Sequence, residues 1–424
     1  MQRLLAVLAS VCATALGAQE FTTLKGHGGP IMGLAMSPAG QIATASFDNS
    51  VGLWSEGGPI WLEGHEAAVT AVAFGPNGQL VTGSDDFTVR LWGDAPQVLG
   101  QHQGKVTSVQ LSPDGQHVLS ASWDGTLRLW PLAGGAAQVL QAPGTGINAA
   151  IFGPDGRHIF AATMNGQILR FDRQGSDVPL RLVTHGFGVT RLVAHGPWLA
   201  YGAVDGGTRV VRADTGAQLA DFSLDRRPVL AMAHHAGTGQ LAVGDGHGYI
   251  MMLDTRTWRI TRDFKATRKG PVWALAFAPD GASIYAGGLD DVAYGWPVAL
   301  LDEFKPGISG QRSFLRDAET MPNGERQFMR KCSICHALGP GPSRKAGPTL
   351  HGLFGRPAGS VPGYFYSPTL RNAQIVWGED TIDALFDMGP DHYIPGSKMP
   401  MQVIAGAGDR ADLIAYLKQA TKKE

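Results

Sequence analysis

Cysteine is scarce in this 424-residue chain, which holds only Cys12, Cys332 and Cys335. So few thiols exclude a disulfide framework. Charge is scarce too: Asp, Glu, Lys and Arg make 17% of the residues and nearly cancel, leaving a formal net charge of −1. The chain therefore has no overall electrostatic pull toward nucleic acid or an anionic membrane. Beyond the N-terminus no apolar run approaches the ~20 residues of a membrane-spanning helix. Turn chemistry, by contrast, is abundant. The 58 Gly and 26 Pro favour many tight connections over long helices and point to a turn-rich β protein. The length exceeds the usual ~100–150 residues of one domain, so two or more units are expected.

Residues 1–18 read as an export signal. Arg3 supplies positive charge, Leu4 to Leu16 are apolar, and Ala15, Gly17 and Ala18 are small enough for cleavage, which would start the mature chain near Gln19. The expectation is a periplasmic protein with no stable membrane span once processed. A retained N-terminal anchor is the alternative. Cys12 is a poor lipidation site because Val11 precedes it where a small residue is expected. Processing would leave Cys332 and Cys335 as the remaining thiols.

Self-similarity dominates residues 19–299. Gly26-His27, Gly64-His65 and Gln101-His102 each open a segment that closes at Trp54, Trp92 and Trp130. Within the segments lie Pro38-Ala39-Gly40, Pro76-Asn77-Gly78 and Pro113-Asp114-Gly115, turns in which Pro fixes φ and Gly takes positive φ. An Asp stands six residues before each Trp, at Asp48, Asp86 and Asp124. Fainter copies run through Asn165 and Phe171, Asp205 and Val211, His247 and Leu253, and Asp290 and Trp296, making seven units. Each reads as four short strands whose sheet cannot bury both faces alone, so the units must stack. Closing the stack into a ring removes most exposed edges.

The recurring His, Ser, Asp and Trp at 27/46/48/54, 65/84/86/92 and 102/122/124/130 resemble WD-repeat proteins. The resemblance implies a seven-bladed propeller in which these polar residues form a hydrogen-bonded chain inside each blade. It also implies that Phe21-Thr22-Thr23-Leu24 completes the last blade. The His and Trp are missing from blades four to six.

Residues 300–320 look like a linker, and a second unit occupies residues 321–424. A helix-compatible stretch from Asn323 leads into Cys332-Ser333-Ile334-Cys335-His336. Cys-X-X-Cys-His is the attachment pattern of c-type haem: two thiols reach the two vinyl groups while the adjacent imidazole faces the iron. Zinc would need more Cys or His at short spacing, and only isolated His351 and His392 follow. A second axial ligand is required for an electron-transfer haem. Met399 on the Pro395-Gly396-Ser397-Lys398-Met399 loop is the candidate, with Met388 and Met401 nearby.

Lys331 to His336, Gly347 to Arg356, Pro395 to Met399 and Asp412 to Lys418 make this unit similar to class I cytochromes c of the mitochondrial and short bacterial type, which implies an all-α domain. On that resemblance one haem c is held covalently by Cys332 and Cys335. His336 and Met399 would ligate the iron, and the Pro348 carbonyl would orient the His336 ring. Arg356, Tyr366, Trp377 and Ser397 would bury or hydrogen-bond the haem propionates, and Gly324 and Phe328 would pack against Leu413 and Tyr416. Two departures stand out: Leu385 where the family usually has Tyr, and an extra Gly389.

Filled axial positions imply single-electron transfer rather than bond chemistry. The family docks through lysines around the haem edge; here Arg326, Arg330, Lys331 and Lys398 remain, while Asp391 and His392 stand where lysines are common. Residues 320–424 carry 12 Lys and Arg against 9 Asp and Glu, a balance of +3, leaving about −5 on the propeller region once Arg3 is set aside. The expected function is an exported electron carrier whose propeller docks a periplasmic redox protein or a terminal oxidase or reductase. The alternative is a propeller-plus-haem oxidoreductase with a second cofactor or substrate site, nitrite reductase-like or quinoprotein-like. His234-His235 and His247 are the ring residues that could serve a metal.

Overall fold

The computed structural model describes residues 21–55, 57–175, 178–224, 228–267, 270–301, 320–341, 343–395, 397, 399 and 402–422. The expected export signal, most of the expected linker, Lys398 and Met401 lie outside the described residues.

Seven four-stranded antiparallel sheets form the first unit. Blade 1 runs Ile31–Met36, Ile42–Ser46, Val51–Ser55 and Gly58–Leu62, and blade 2 runs Val69–Phe74, Leu80–Ser84, Thr88–Trp92 and Gln97–Gln101. The expected Pro-X-Gly turns join first to second strands: in blade 1 the Gly40 amide donates to the Ser37 carbonyl at 2.9 Å, with Gly40 at φ +86°. Blade 7 takes three strands from Val272–Phe277, Ser283–Gly288 and Val292–Pro297, and its fourth is Thr22–Lys25. Thr22 pairs with Gly295 and Lys25 with Val292, so the N-terminal strand closes the ring as expected. Closure is sealed by packing between blades 7 and 1, where Leu24, Ile31, Leu34, Trp54, Ala274 and Ala293 form one buried cluster.

Blades approach so closely that the second strands need a small residue facing the next blade. A Cβ at Gly83 would lie 2.3 Å from Val106, one at Gly202 2.3 Å from Val229, and one at Gly287 2.4 Å from Ile31. Side chains in these strands are buried throughout, as in Leu80–Ser84, so any polar group there needs a partner inside the blade. In blade 1, His27 Nδ1–H donates to Asp48 Oδ2 at 2.9 Å. Because a carboxylate only accepts, Nε2 is left as an acceptor, and the Thr44 hydroxyl donates to it at 2.7 Å. Thr44 Oγ1 in turn accepts from Trp54 Nε1 at 2.8 Å. The same chain runs His65–Asp86, Thr82, Trp92 in blade 2 and His102–Asp124, Ser120, Trp130 in blade 3.

This corrects the sequence expectation for the hydroxyl. Ser46, Ser84 and Ser122 lie two residues later on the same strand face and act on the turn instead. Ser46 donates to the Gly29 carbonyl at 3.1 Å and accepts from the Asp48 amide at 3.2 Å. A second correction falls in blade 5, which does contain a histidine: His185 Nε2 meets Asp205 Oδ2 at 3.0 Å, and its ring lies edge-on to Tyr201. In blade 7 the chain is broken. Ala286 occupies the place of Thr44, and the buried Trp296 Nε1 has no partner.

The turn after each Asp also varies. Blades 3, 4 and 5 place Gly125, Gly166 and Gly206 there at φ +83° to +89°, whereas blades 1 and 2 place Asn49 at φ +71° and Phe87 at φ +72°. The left-handed region costs a non-glycine residue about 1–2 kcal/mol, so Phe87 is held against a local penalty.

The second unit is a helical domain built from α1 (Asn323–Lys331), α2 (Pro368–Arg371), α3 (Glu379–Met388), α4 (Pro390–Tyr393) and α5 (Ala407–Ala420). The terminal helices α1 and α5 cross at Gly324, where a Cβ would sit 2.1 Å from the Asp412 carbonyl, and Phe328 packs on Tyr416 with ring centroids 5.6 Å apart. Arg410 of α5 pins α3 through Asp383 at 2.7 Å and Asp387 at 2.9 Å. The extra Gly389 takes φ +85° between α3 and α4, a turn open to glycine. The apolar core includes Phe328, Leu353, Ile382, Leu385, Phe386 and Leu413 and is separate from the blade cores.

Candidate functional site: an apolar cavity behind the Cys-X-X-Cys-His turn

Helix α1 ends at Cys332, whose carbonyl accepts from the amides of Cys335 at 3.0 Å and His336 at 2.8 Å. This tight turn brings two thiols and an imidazole to one wall. Burial pushes the Cys332 thiol up to about 12 and the Cys335 thiol up to about 11. Neither is a thiolate at neutral pH, which disfavours thiol–disulfide exchange as the role of this pair.

His336 donates from Nδ1 to the Pro348 carbonyl at 2.8 Å. A carbonyl cannot donate back, so the neutral ring carries its proton on Nδ1 and presents the Nε2 lone pair. Burial, the largest influence, lowers the imidazole pKa despite that bond, keeping the ring neutral and able to ligate. Gly347 is required beneath it, because a Cβ there would fall 2.4 Å from His336 Cε1.

The imidazole faces a cavity of about 550 Å³ lined by both cysteines, Met399, Trp377, Leu385 and Tyr366, among others. Met399 therefore shares the cavity with His336, its amide donating to Ser397 Oγ at 3.1 Å. Met388 is 51% exposed on the end of α3 and does not line the cavity. Arg356, Tyr366, Trp377 and Ser397 all line it. Arg356 is positioned by donating to the His351 carbonyl at 2.7 Å and the Thr349 carbonyl at 2.9 Å. Backbone bonds between Trp377 and both Gly355 and Arg356 bring the indole and guanidinium segments together. Leu385 supplies apolar wall where a Tyr was the family expectation.

The donor set fits a haem: one free imidazole nitrogen and a thioether sulfur on a single apolar cavity, beside two thiols. Sequence reasoning missed Tyr364, whose hydroxyl donates to the Ala346 carbonyl at 2.7 Å. It also missed Phe47, Asn49 and Phe87 of the propeller, which line the same cavity.

The ring histidines do not assemble in the same way. His235 bonds to Thr238 and to the Pro279 carbonyl, while His247 lies by Asp245, at the opposite end of the blade 6 strands from His234 and His235. Among the described residues no three His, Cys, Asp or Glu side chains gather closely enough to hold a metal.

Comparison with known proteins agrees with both halves. Residues 18–55, 60–93, 93–131 and 258–296 match the WD domain, G-beta repeat, and residues 322–421 match cytochrome c. The chain is 48% identical over 101 residues to cytochrome c of Sesamum indicum and 46% identical over 101 residues to that of Ginkgo biloba. These matches cover 23% and 24% of this chain and 88% of each relative. The solved WD40 β-propeller domain of Doa1 superposes with a TM-score of 0.58 at 19% identity, covering 65% of this chain and 94% of that one, a likeness of fold. The two units thus define a propeller–cytochrome fusion. Through its C-terminal unit the chain belongs to the cytochrome c family, joined here to WD repeats.

Proposed function

We propose that this protein is an exported, periplasmic electron carrier. One haem c is joined by thioether bonds to Cys332 and Cys335 and ligated by His336 and Met399. The propeller serves as a scaffold that docks a periplasmic redox protein or a terminal oxidase or reductase. Haem supplies a reversible one-electron couple when bound. The residues of this chain orient it through the Pro348–His336 bond, exclude water with Leu385, Phe386 and Trp377, and leave no ligand position open for a substrate. The observation that carries the reading is His336, its Nδ1 committed to Pro348, facing the same apolar cavity as Met399.

The test is pigment analysis of protein matured in an exporting host. One covalent haem per chain, no uptake of carbon monoxide at neutral pH and an N-terminus at Gln19 in the periplasmic fraction are expected. A colourless chain, or iron that readily takes up carbon monoxide, overturns the reading. A second chromophore, or turnover of nitrite or alcohols, moves the function to the oxidoreductase alternative. Met399→Ala should abolish the weak long-wavelength charge-transfer band of the oxidised protein, and Met401→Ala should keep it.

A further inference from the structure

The cavity behind His336 does not end at the cytochrome unit. Its outer wall is made by the propeller, from the Phe47–Asn49 turn of blade 1, the Asp85–Phe87 turn of blade 2 and Glu66. Three independent features meet there. Arg344 of the cytochrome unit reaches the ring, its guanidinium 4.2 Å over Trp61 and 2.7 Å from Glu63. Its carbonyl packs against Gly28, where a Cβ would lie 1.9 Å away. Asn49 and Phe87 are the two turn residues that replace glycine at positive φ, and both line the cavity. Backbone strain kept at a functional surface is informative when it is observed rather than assumed. A glycine at position 87 would relieve the backbone, so the phenylalanine contributes through its ring, which is 38% exposed. Finally, Asn49 Oδ1 and Asp85 Oδ1 are buried in this mouth without a hydrogen-bond partner, an arrangement that folded proteins seldom leave unmet.

We propose that the propeller completes the haem site of its own chain. Blades 1 and 2 close the mouth of the cavity with Phe47, Asn49 and Phe87, and Arg344 fastens the two units across it. This rests on the haem reading above. The charge balance favours it, with +3 on residues 320–424 against −4 on the ring, residues 19–299. The consequence is that the ring excludes water from the cofactor, which favours the less charged ferrous state and raises the potential. A soluble oxidant gains access over this face only when the units part.

Three variants test it from different sides: Phe87→Gly removes the ring and the strain together, Arg344→Ala removes the fastening, and Gly28→Leu wedges the units apart without touching the cavity. Each is assayed for haem content, midpoint potential, radius of gyration in solution and the rate of oxidation of the ferrous form by ferricyanide. Loss of one partly exposed pair shifts the balance of parted and joined forms by about threefold. The expected result for Arg344→Ala is an oxidation rate raised by about that factor, with the same rise in wild type when salt screens the pair. Phe87→Gly should lower the potential while keeping one haem and the wild-type radius of gyration; Gly28→Leu should enlarge that radius. If all three variants bind one haem and retain wild-type potential, size and rate, the inference is overturned while the haem reading stands. A wild-type chain without haem overturns both.

Discussion

Histidines in the two units of this chain have opposite fates. In blades 1–3 each imidazole has both nitrogens occupied, one by an Asp and one by a hydroxyl that also receives a tryptophan N–H. In the cytochrome unit His336 has one nitrogen committed to Pro348 and the other facing an apolar cavity. A closed polar circuit stabilises a fold, because every buried group is paired. A nitrogen held open by a bond on its far side is a ligand position. The difference separates the circuit histidines His27, His65 and His102 from His336 without reference to sequence motif.

The strongest way to break this comparison is His336→Ala. It should remove the covalent haem and collapse the cytochrome unit, while the ring melts as in wild type, since the two apolar cores are separate. Pyridine haemochrome absorbance and a two-phase thermal melt measure both outcomes. A ring that melts with the cytochrome would show that the units share one cooperative core.

The next effect is within a circuit. Thr44→Val leaves His27 Nε2 and Trp54 Nε1 without partners and should cost about 2–4 kcal/mol in the urea unfolding of the ring. Ser46→Ala, on the same strand face, should cost about 1 kcal/mol. Equal losses would return the hydroxyl of the circuit to Ser46.

Acid should expose the same circuits more gently. Burial alone would raise the Asp48, Asp86 and Asp124 carboxyls, but bonds from His27 or His65, a hydroxyl and a backbone amide overcome it and hold all three below 3.8. A lowered native pKa gives stability that is present above the unfolded value and is lost as pH falls through the folded one. Amide exchange should therefore show blades 1–3 losing protection below pH 3.8. The corresponding turn of blade 4, where Asn165 stands in place of the Asp, should change least.

Much of this was legible from residue order. Blades 1–3 announced themselves through His, Asp and Trp at fixed spacing, and the cytochrome unit through Cys332, Cys335, His336 and Met399. What was not legible has particular causes. Thr44 and Ser46 share a face at strand period 2, so periodicity cannot choose between them. His185 has no Gly before it and uses Nε2 where blades 1–3 use Nδ1, so the repeat pattern passed over it. In blades 4 and 6 apolar residues, Ala161 with Phe171 and Val243 with Leu253, replace the circuits and leave few polar markers. The propeller's share of the cavity joins residues nearly three hundred positions apart, beyond any local pattern. Its one sequence trace was Asn49 and Phe87, standing where blades 3 to 6 have glycine.

The smallest expected effect concerns a histidine that belongs to neither group. His234 is packed against His195 and Trp198, with ring centroids 4.8 and 5.0 Å away, and its buried Nε2 has no partner. Burial, followed by the charges of His195 and His235, lowers its pKa from 6.5 to about 4. The unfolded chain thus takes up a proton below 6.5 that the folded ring refuses until about 4, so this residue subtracts stability as pH falls across that window. His234→Phe keeps the aromatic packing and removes the orphaned nitrogen, and should be neutral to stabilising by about 0.5–1 kcal/mol at pH 7.5. The variant should lose less Tm than wild type between pH 7.5 and 5. An equal loss would mean that His234 meets a proton acceptor in solution and joins the satisfied histidines of the ring.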